Sequence, residues 1–319
     1  DELKKFGFTD VQQFGGGNKI QRPSKRIVVS TIQSFAKLAP EDYMDYFHCV
    51  IVDEAHAVAK QNSQYSKVLG SLLAPCRYGF TATPLKDPEA QLTYEGLLGP
   101  IIGELTIHEA SELKILADPK LKLIKADFPS SLSDVWNYQD TYEKVRIEGK
   151  LVNGDRLKVG AYTAGISEND LRNQQIAKLA KEFSDKKQTV LIFVTHIEHG
   201  ERIQYEIENL IQKQIPFVQG SMPQDEREKV KSQLLKKEIF VCISTVSWQE
   251  GLNIPNLAAL ILAGGGRNEK QLLQKIGRVL RRTKDKDQAF IIDFLDLGSR
   301  HLILHTGERL GVYSDLGWL

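Results

Sequence analysis

Two acidic residues that directly follow a short apolar run could together hold a metal ion and activate water. The run covers residues 49–52, and Asp53 and Glu54 come next. If the run is a parallel strand, both carboxylates lie at the carboxyl edge of a sheet, where α/β proteins bind ligands. One carboxylate there can bind Mg2+ that bridges phosphates, and its neighbour can orient an attacking water. Alone, the pair is an ordinary solvated turn; His56 two residues later strengthens the hydrolytic interpretation.

A second candidate site consists of the hydroxyls of Thr81 and Thr83, which follow the strand-like residues 78–80. These hydroxyls can hydrogen-bond the acidic site and so transmit a change at that site to another surface of the protein. By itself the segment is typical of a strand that Pro84 terminates. Its position downstream of Asp53 favours the functional interpretation.

A third candidate site lies in a basic stretch near the end of the chain. Gln274, Arg278 and Arg281 are spaced at i, i+4 and i+7, so on one helix they share a face. Two arginines beside an amide suit the dispersed charge of a phosphoryl-transfer transition state. The alternative is a solvated basic helix, since residues 267–286 contain eight Lys or Arg against two acidic residues. Within it, Arg282, Lys284 and Lys286 are assigned only to the surface potential.

Two more strand ends carry hydroxyls that could contact the phosphates of a nucleic-acid backbone. Residues 28–34 include Thr31 and Gln33, and residues 243–255 include Thr245 and Gly251. Each segment alone is an ordinary strand end or glycine turn. The functional interpretation of these two segments depends on the order of the neighbouring motifs.

Composition places the chain among ordinary globular proteins with two domains. It has 319 residues, 41% of them hydrophobic, and 42 Lys or Arg against 41 Asp or Glu. The net charge of +1 provides no global attraction for nucleic acid or membranes, so any such binding must come from local patches. Three cysteines without a CxxC pair indicate reduced thiols and a cytoplasmic location. No apolar run approaches the roughly 20 residues that cross a bilayer.

Short β-branched runs alternate with helical patterns, which predicts parallel sheets covered by helices. A helix is expected to begin at Ser167, with the hydroxyl capping its first turn and Asp170 three residues on. We expect a first lobe over residues 1–106, a connector and start of the second lobe over 107–166, the second lobe over 167–300 and a tail over 301–319. The predicted strands are residues 26–30, 49–52, 78–81, 121–126, 190–194, 240–244, 259–263 and 289–294.

In their order, these motifs resemble those of the superfamily 2 helicases, DEAH-type, over residues 28–282. Residues 53–56 resemble motif II, 81–83 motif III, 191–194 motif IV, 245–255 motif V and 274–281 motif VI. The early residues 14–19, leading into 29–34, are similar to phage UvsW-type branch-migrating DNA helicases. The resemblance implies an α/β fold of two RecA-like lobes, each a mostly parallel sheet flanked by helices. It also implies ATP with Mg2+ in the cleft between the lobes, and nucleic acid, DNA rather than RNA, across both.

The same resemblance implies a role for each matching residue. Catalysis falls to Asp53, Glu54, His56, Arg278 and Arg281, with Asp53 as the ligand of the Mg2+ that ATP brings. Coupling of nucleotide state to the nucleic acid falls to Thr81, Thr83, Gln274 and Asn253. Nucleotide contacts fall to Asp53, Glu54, Gly251, Arg278 and Arg281. Contacts to backbone phosphates fall to Thr31, Gln33, Thr195, Thr245 and Gly251.

Two departures from the family pattern set limits on this chain. No phosphate loop of the form GxxxxGK[ST] occurs in its 319 residues, and Asn253 stands where motif V usually has Asp. Since the chain starts at Asp1 without a methionine, we expect the first lobe to be N-terminally incomplete. The chain alone should bind ATP poorly and hydrolyse almost none.

Two classes of function remain open. The first is an ATP-dependent DNA helicase or translocase that remodels branched or duplex DNA in replication, recombination or repair. A narrower form of it is a restriction-type or remodelling motor that translocates without unwinding. The second class is a nucleic-acid binding module that has lost catalysis. Because a pure binder does not need Asp53, Glu54, Arg278 and Arg281 together, the motor is favoured, in a bacterium or a phage-infected host cell.

Overall fold

The protein folds into two compact units, Asp1–Glu104 and Leu105–Leu319. They are called unit 1 and unit 2 below, and each is considered by itself. The computed structural model describes residues 2–15, 22–38, 40–59, 63–82, 87–128, 145–147, 150–152, 160–245, 254–266, 272, 276–277, 279–283 and 285–319.

Unit 1 contains two pairs of parallel strands. Strand β1 (Val11–Phe14) pairs with β2 (Ile27–Ser30), and β3 (Cys49–Asp53) pairs with β4 (Cys76–Phe80). Four α-helices accompany them in the described part of unit 1: α1 (Glu2–Lys5), α2 (Ile32–Phe35), α3 (Gln64–Ser71) and α4 (Pro88–Leu98).

One face of the β3–β4 pair is covered and forms a small core. Val52 on β3 packs with Ala55, Tyr94 and Leu98. Gly79 on β4 permits this close packing, because a Cβ there would lie 2.5 Å from the Tyr94 hydroxyl and 2.9 Å from the Ala55 Cβ. The core therefore fixes the chain at the end of β3, where Asp53 and Glu54 lie.

Unit 2 is built on a six-stranded, fully parallel sheet. Its strands are β5 (Asp118–Lys125), β8 (Thr189–Val194), β9 (Phe217–Val218), β10 (Val241–Thr245), β11 (Leu257–Leu262) and β12 (Gln288–Leu295), in the spatial order β5–β12–β11–β8–β10–β9. Two short strands, β6 (Val145–Ile147) and β7 (Lys150–Val152), form a separate antiparallel pair.

Helices and side chains cover both faces of the large sheet. The described helices of unit 2 are α5 (Ile107–Glu112), α6 (Asp170–Asp185), α7 (Ile197–Ile211), α8 (Gln224–Leu235) and α9 (Arg300–Asp315). Along β8, Leu191 and Phe193 belong to one hydrophobic core, whereas Val190, Ile192 and Val194 belong to the core on the other face. A strand that is buried on both faces is expected to be apolar throughout, as β8 is.

The eight predicted strands are all present, with their ends shifted by a few residues. The predicted helix start was wrong. Helix α6 begins at Asp170, and its cap is Asn169, whose side chain accepts a hydrogen bond from the Arg172 backbone N–H. Ser167 instead ends a π-helical turn, Thr163–Ser167, and its hydroxyl donates to the Thr163 carbonyl. Among the described helices, none combines the length and the apolar character needed to cross a membrane.

Candidate functional site

The acidic pair lies at the carboxyl end of β3. Asp53 is the last residue of the strand and is exposed, and its Oδ1 accepts a hydrogen bond from the Glu54 N–H at 2.9 Å. Glu54 has a φ of 51°, in the left-handed region that residues other than glycine rarely adopt. Such backbone strain is concentrated at functional sites. The chain thus turns sharply at Glu54, in a conformation fixed by the core below it.

His56 joins the acidic pair to the end of the neighbouring strand. It lies in a 3-10 turn, Ala55–Ala59, and its Nδ1 is 2.9 Å from the Thr81 Oγ1 and 3.3 Å from the Glu54 Oε2. Thr81 directly follows β4. The structure therefore brings Glu54, His56 and Thr81 into one group at the carboxyl edge of the β3–β4 pair. Thr83 lies outside the described residues.

Whether the carboxyl edge of the β3–β4 pair can bind Mg2+ depends on the carboxylate of Asp53. Within the described parts of the chain, no three His, Cys, Asp or Glu side chains cluster into a metal site. Mg2+ is commonly held by one or two carboxylates together with substrate phosphates and water. The exposed Asp53 carboxylate suits that arrangement, whereas a Mg2+ site made of protein ligands alone does not fit these residues.

The two predicted phosphate contacts in unit 1, Thr31 and Gln33, are both exposed, and Thr31 also has a structural role. Thr31 caps α2: its Oγ1 accepts from the Ser34 N–H at 3.3 Å and donates to the Ser34 Oγ at 2.9 Å. Gly15 packs against this cap with a φ of 88°, and a Cβ there would lie 2.8 Å from the Ser34 Oγ. The position therefore requires glycine.

In unit 2, Thr195 and Thr245 lie at the carboxyl edge of the large sheet. Thr245 ends β10 beside Val194 of β8, and Thr195 follows β8 directly. Thr195 is exposed, whereas Thr245 is buried. The structure places these two predicted contacts at the ends of neighbouring strands. Gly251 and Asn253 lie outside the described residues.

The predicted helical face of residues 274–281, called the arginine segment from here on, does not extend to Arg281. Ile276, Gly277 and Val279 are helical, but Arg281 forms an isolated antiparallel bridge with Leu116. The apolar side chains of Ile276, Val279 and Leu280 are buried, so packing fixes the helix end. The shared-face prediction for Arg281 is therefore wrong, although its side chain is exposed. Gln274 and Arg278 lie outside the described residues.

The prediction that Lys286 is a surface charge is wrong, because its side chain is buried. It is 7% exposed, and its Nζ donates to the carbonyls of Val279 at 2.5 Å and Pro255 at 3.0 Å. Burial lowers the pKa of this ammonium to about 8. Nothing in the sequence distinguishes Lys286 from the other basic residues of the stretch, because its burial depends on how β12 and the preceding turn pack.

A buried ionic network supports the loop that follows β11. Arg172 Nε donates to Asp296 Oδ1 at 2.7 Å, and Arg309 Nε donates to Asp293 Oδ2 at 2.7 Å. Tyr313 donates to the same Asp293 oxygen at 2.8 Å. Each of these five side chains is at most 5% exposed.

Four consecutive carbonyls of this loop accept hydrogen bonds from side chains. Arg172 donates to Ala263 O at 2.8 Å, and the Tyr162 hydroxyl donates to Gly264 O at 2.9 Å. Arg309 donates to the next two carbonyls, Gly265 O at 3.1 Å and Gly266 O at 3.3 Å. The loop leads from the sheet toward the arginine segment, so the network fixes the start of that connection.

Sequence reasoning missed this network, although a signal for it exists. Arg172 shares a helical face with the buried Ile176 and Leu179, and Arg309 is spaced at i+7 from the buried Leu302. A cation on the apolar face of a helix indicates a buried partner.

Replacing Arg309 with Met is expected to destabilise unit 2 by about 3–5 kcal/mol, because Asp293 would remain buried without its cation. Urea unfolding followed by circular dichroism measures the change. Lys181→Met is the control: it removes an exposed pair with Asp185 at 2.7 Å, which should cost about 0.3–0.5 kcal/mol. Equal effects of the two substitutions would contradict the structural role of the network.

Two family models match separate parts of the chain. The helicase conserved C-terminal domain matches residues 173–283, and the type III restriction enzyme res subunit matches residues 1–86. These matches confirm the predicted resemblance to superfamily 2 helicases.

Individual relatives agree with these domains. The ATP-dependent DNA helicase uvsW of Enterobacteria phage T4 is 26% identical over 334 residues, covering 98% of this chain and 62% of the relative. The DNA 3'-5' translocase XPB2 of Sulfurisphaera tokodaii is 25% identical over 330 residues, covering 97% of this chain and 71% of the relative.

A solved structure supports the fold. S. cerevisiae Dbp5 bound to RNA and ADP BeF3 matches with a TM-score of 0.61 and 13% identity, covering 100% of this chain and 71% of that chain. This match confirms the predicted α/β architecture of RecA-like units.

Proposed function

We propose that this chain is the larger part of an ATP-dependent DNA helicase or translocase of superfamily 2. The observation that carries the proposal is the group at the edge of β3–β4, where His56 Nδ1 contacts both Glu54 and Thr81. A carboxylate that orients water is thereby connected to the end of the next strand. A protein that only binds nucleic acid has no use for this connection.

Unit 1 supplies the hydrolytic carboxylates. Asp53 would be a ligand of Mg2+, which, when bound with ATP, neutralises the charge that develops on the phosphates. Glu54 would orient the attacking water, and its carboxylate lies 3.3 Å from His56 Nδ1. A change in the Glu54 position would reach Thr81 through His56, which is the coupling role assigned to both residues; Thr83 would share it.

In unit 2, Arg281 is the described residue to which the family resemblance assigns the catalytic cation. Arg281 is exposed, and its backbone is anchored by the bridge to Leu116. A guanidinium carried on an anchored backbone can stabilise the spread charge of the phosphoryl-transfer transition state. Arg278, Gln274, Gly251 and Asn253 keep the roles that the family resemblance assigns to them.

DNA is the proposed substrate, since both curated relatives are named for action on DNA. Thr31, Gln33, Thr195, Thr245 and Gly251 would contact backbone phosphates rather than bases. Among the described ones, Thr31, Gln33 and Thr195 are exposed, whereas Thr245 is buried. Binding should then be largely independent of sequence, and Lys and Arg side chains that neutralise phosphates should make it salt-sensitive.

We expect the 319-residue chain to bind single-stranded DNA with an affinity that falls steeply with salt. Each phosphate of a single strand that a Lys or Arg neutralises contributes a slope of about −0.7 to log K against log salt, so about three such charged contacts give a slope near −2. Fluorescence anisotropy with oligonucleotides of different sequence measures this slope. A flat salt response, or strong preference for one sequence, would contradict backbone binding.

The type III restriction enzyme match favours a second candidate, a motor that translocates on duplex DNA without separating the strands. Both candidates should hydrolyse ATP. An unwinding assay and a triplex-displacement assay distinguish them, because only a helicase releases a strand of the duplex, whereas either motor displaces the third strand.

A further inference from the structure

Lys286 connects two segments that are distant in the sequence. Its Nζ donates to Pro255 O at 3.0 Å and to Val279 O at 2.5 Å. Pro255 is the last residue of the segment that resembles motif V. Val279 belongs to the arginine segment, two residues before Arg281.

The backbone around Arg281 is held from several sides. The Ala117 N–H donates to Leu280 O at 2.7 Å, and Leu116 bridges Arg281. Lys286 itself bridges Thr283, with its N–H donating to Thr283 O at 3.2 Å, so the turn after Arg281 is closed. The Lys286 side chain thus contacts the backbone of the arginine segment, which lies directly before this turn.

The chemistry of the side chain suits this connection. A lysine ammonium has three donors and no acceptor, so one Nζ can satisfy carbonyls from two segments. No carboxylate pairs with Lys286 in the part of the chain that the structure describes. A buried cation is costly to desolvate, and hydrophobic groups of similar volume often stabilise a protein as well. Stability alone therefore does not explain a lysine at this position.

We propose that Lys286 is a positioning residue that holds the end of motif V against the arginine segment, so that nucleic acid bound at motif V fixes the position of Arg281. The consequence for nucleic-acid binding and Arg281 rests on the proposed function. The two hydrogen bonds themselves do not depend on it.

Amide hydrogen exchange on the full 319-residue chain tests the connection without any catalytic assay. Lys286→Met should raise exchange about tenfold or more in residues 254–260 and 276–283, since hydrogen bonds from a charged donor are lost. Strand β8 should be unchanged. Lys286→Arg should restore most of the protection. As the control, Lys120→Met removes only an exposed pair with Asp118 and should leave both segments unchanged.

Two results would overturn the positioning role. If exchange in Lys286→Met rises equally in β8, the lysine only stabilises the fold. If exchange in both segments stays at the wild-type level, the two hydrogen bonds do not restrain either segment. If Lys286→Met does not fold, the unaltered chain still provides a test: saturating single-stranded DNA should protect both segments together. Protection of residues 254–260 alone would contradict the inference.

The failure of the proposed function is distinguishable from the failure of this inference. If the chain does not bind DNA at all, the proposed function is wrong, yet the exchange comparison between Lys286→Met and wild type still decides whether the lysine holds the two segments. If DNA binds and protects only one segment, the function stands and the positioning role fails.

Discussion

Replacing Arg281 with Ala is expected to lower kcat for DNA-stimulated ATP hydrolysis by about a thousandfold to a hundred-thousandfold in the product of the complete reading frame. The guanidinium would stabilise charge that develops only in the transition state, so kcat should fall much more than the KM for ATP changes. Steady-state turnover with saturating DNA measures both parameters.

Arg282→Ala is the matched control for this prediction. Arg282 is adjacent to Arg281, but its guanidinium donates to Asp287 at 2.7 Å and to Lys114 O at 3.1 Å. Its replacement should change kcat by less than about tenfold. If the two replacements lower kcat equally, both arginines act through surface charge. If Arg281→Ala has near wild-type kcat, Arg281 is not the transition-state cation.

Replacing Glu54 with Gln is expected to lower the same kcat by about a hundredfold to ten-thousandfold, the usual contribution of a positioned proton acceptor. Gln keeps the size of the side chain and can still contact His56, so DNA affinity should stay within about threefold of wild type. Turnover and anisotropy measured on one preparation separate the two effects.

Glu95→Gln is the control for the loss of a carboxylate in unit 1. Glu95 lies on α4 and accepts a hydrogen bond from Gln91 at 2.9 Å. Its kcat should equal that of the wild type. A Glu54→Gln protein that hydrolyses ATP normally would remove the carboxylate from the mechanism, whatever its effect on DNA binding.

Much of the fold follows from local sequence patterns, because a buried parallel strand must be apolar. The run from Thr189 to Val194 in β8 is buried along its whole length, so its position was predicted to within one residue. Helix ends were harder to predict. Ser167 and Asn169 are both good caps, and the choice between them depends on tertiary contacts: the Asn169 amide donates to Asp127 O at 2.9 Å and to Gly165 O at 3.2 Å.

The acidic edge of the candidate site was predictable, since motif order places Asp53, Glu54 and Thr81 at neighbouring strand ends. The geometry confirms that His56 contacts Glu54 and Thr81, while their catalytic roles stay predictions. The basic stretch was less predictable. Helical spacing cannot reveal that the helix ends before Arg281, and charge cannot reveal that Lys286 is buried, because both depend on packing against β5 and β12.

The most direct test of the motor is ATP hydrolysis by the product of the complete reading frame, measured with and without DNA. We predict turnover that DNA stimulates and that Glu54→Gln lowers by at least about a hundredfold. The 319-residue chain alone, which has no GxxxxGK[ST] loop, should show almost none. DNA binding without any hydrolysis by the complete product would contradict the motor and establish the alternative, a nucleic-acid binding module that has lost catalysis.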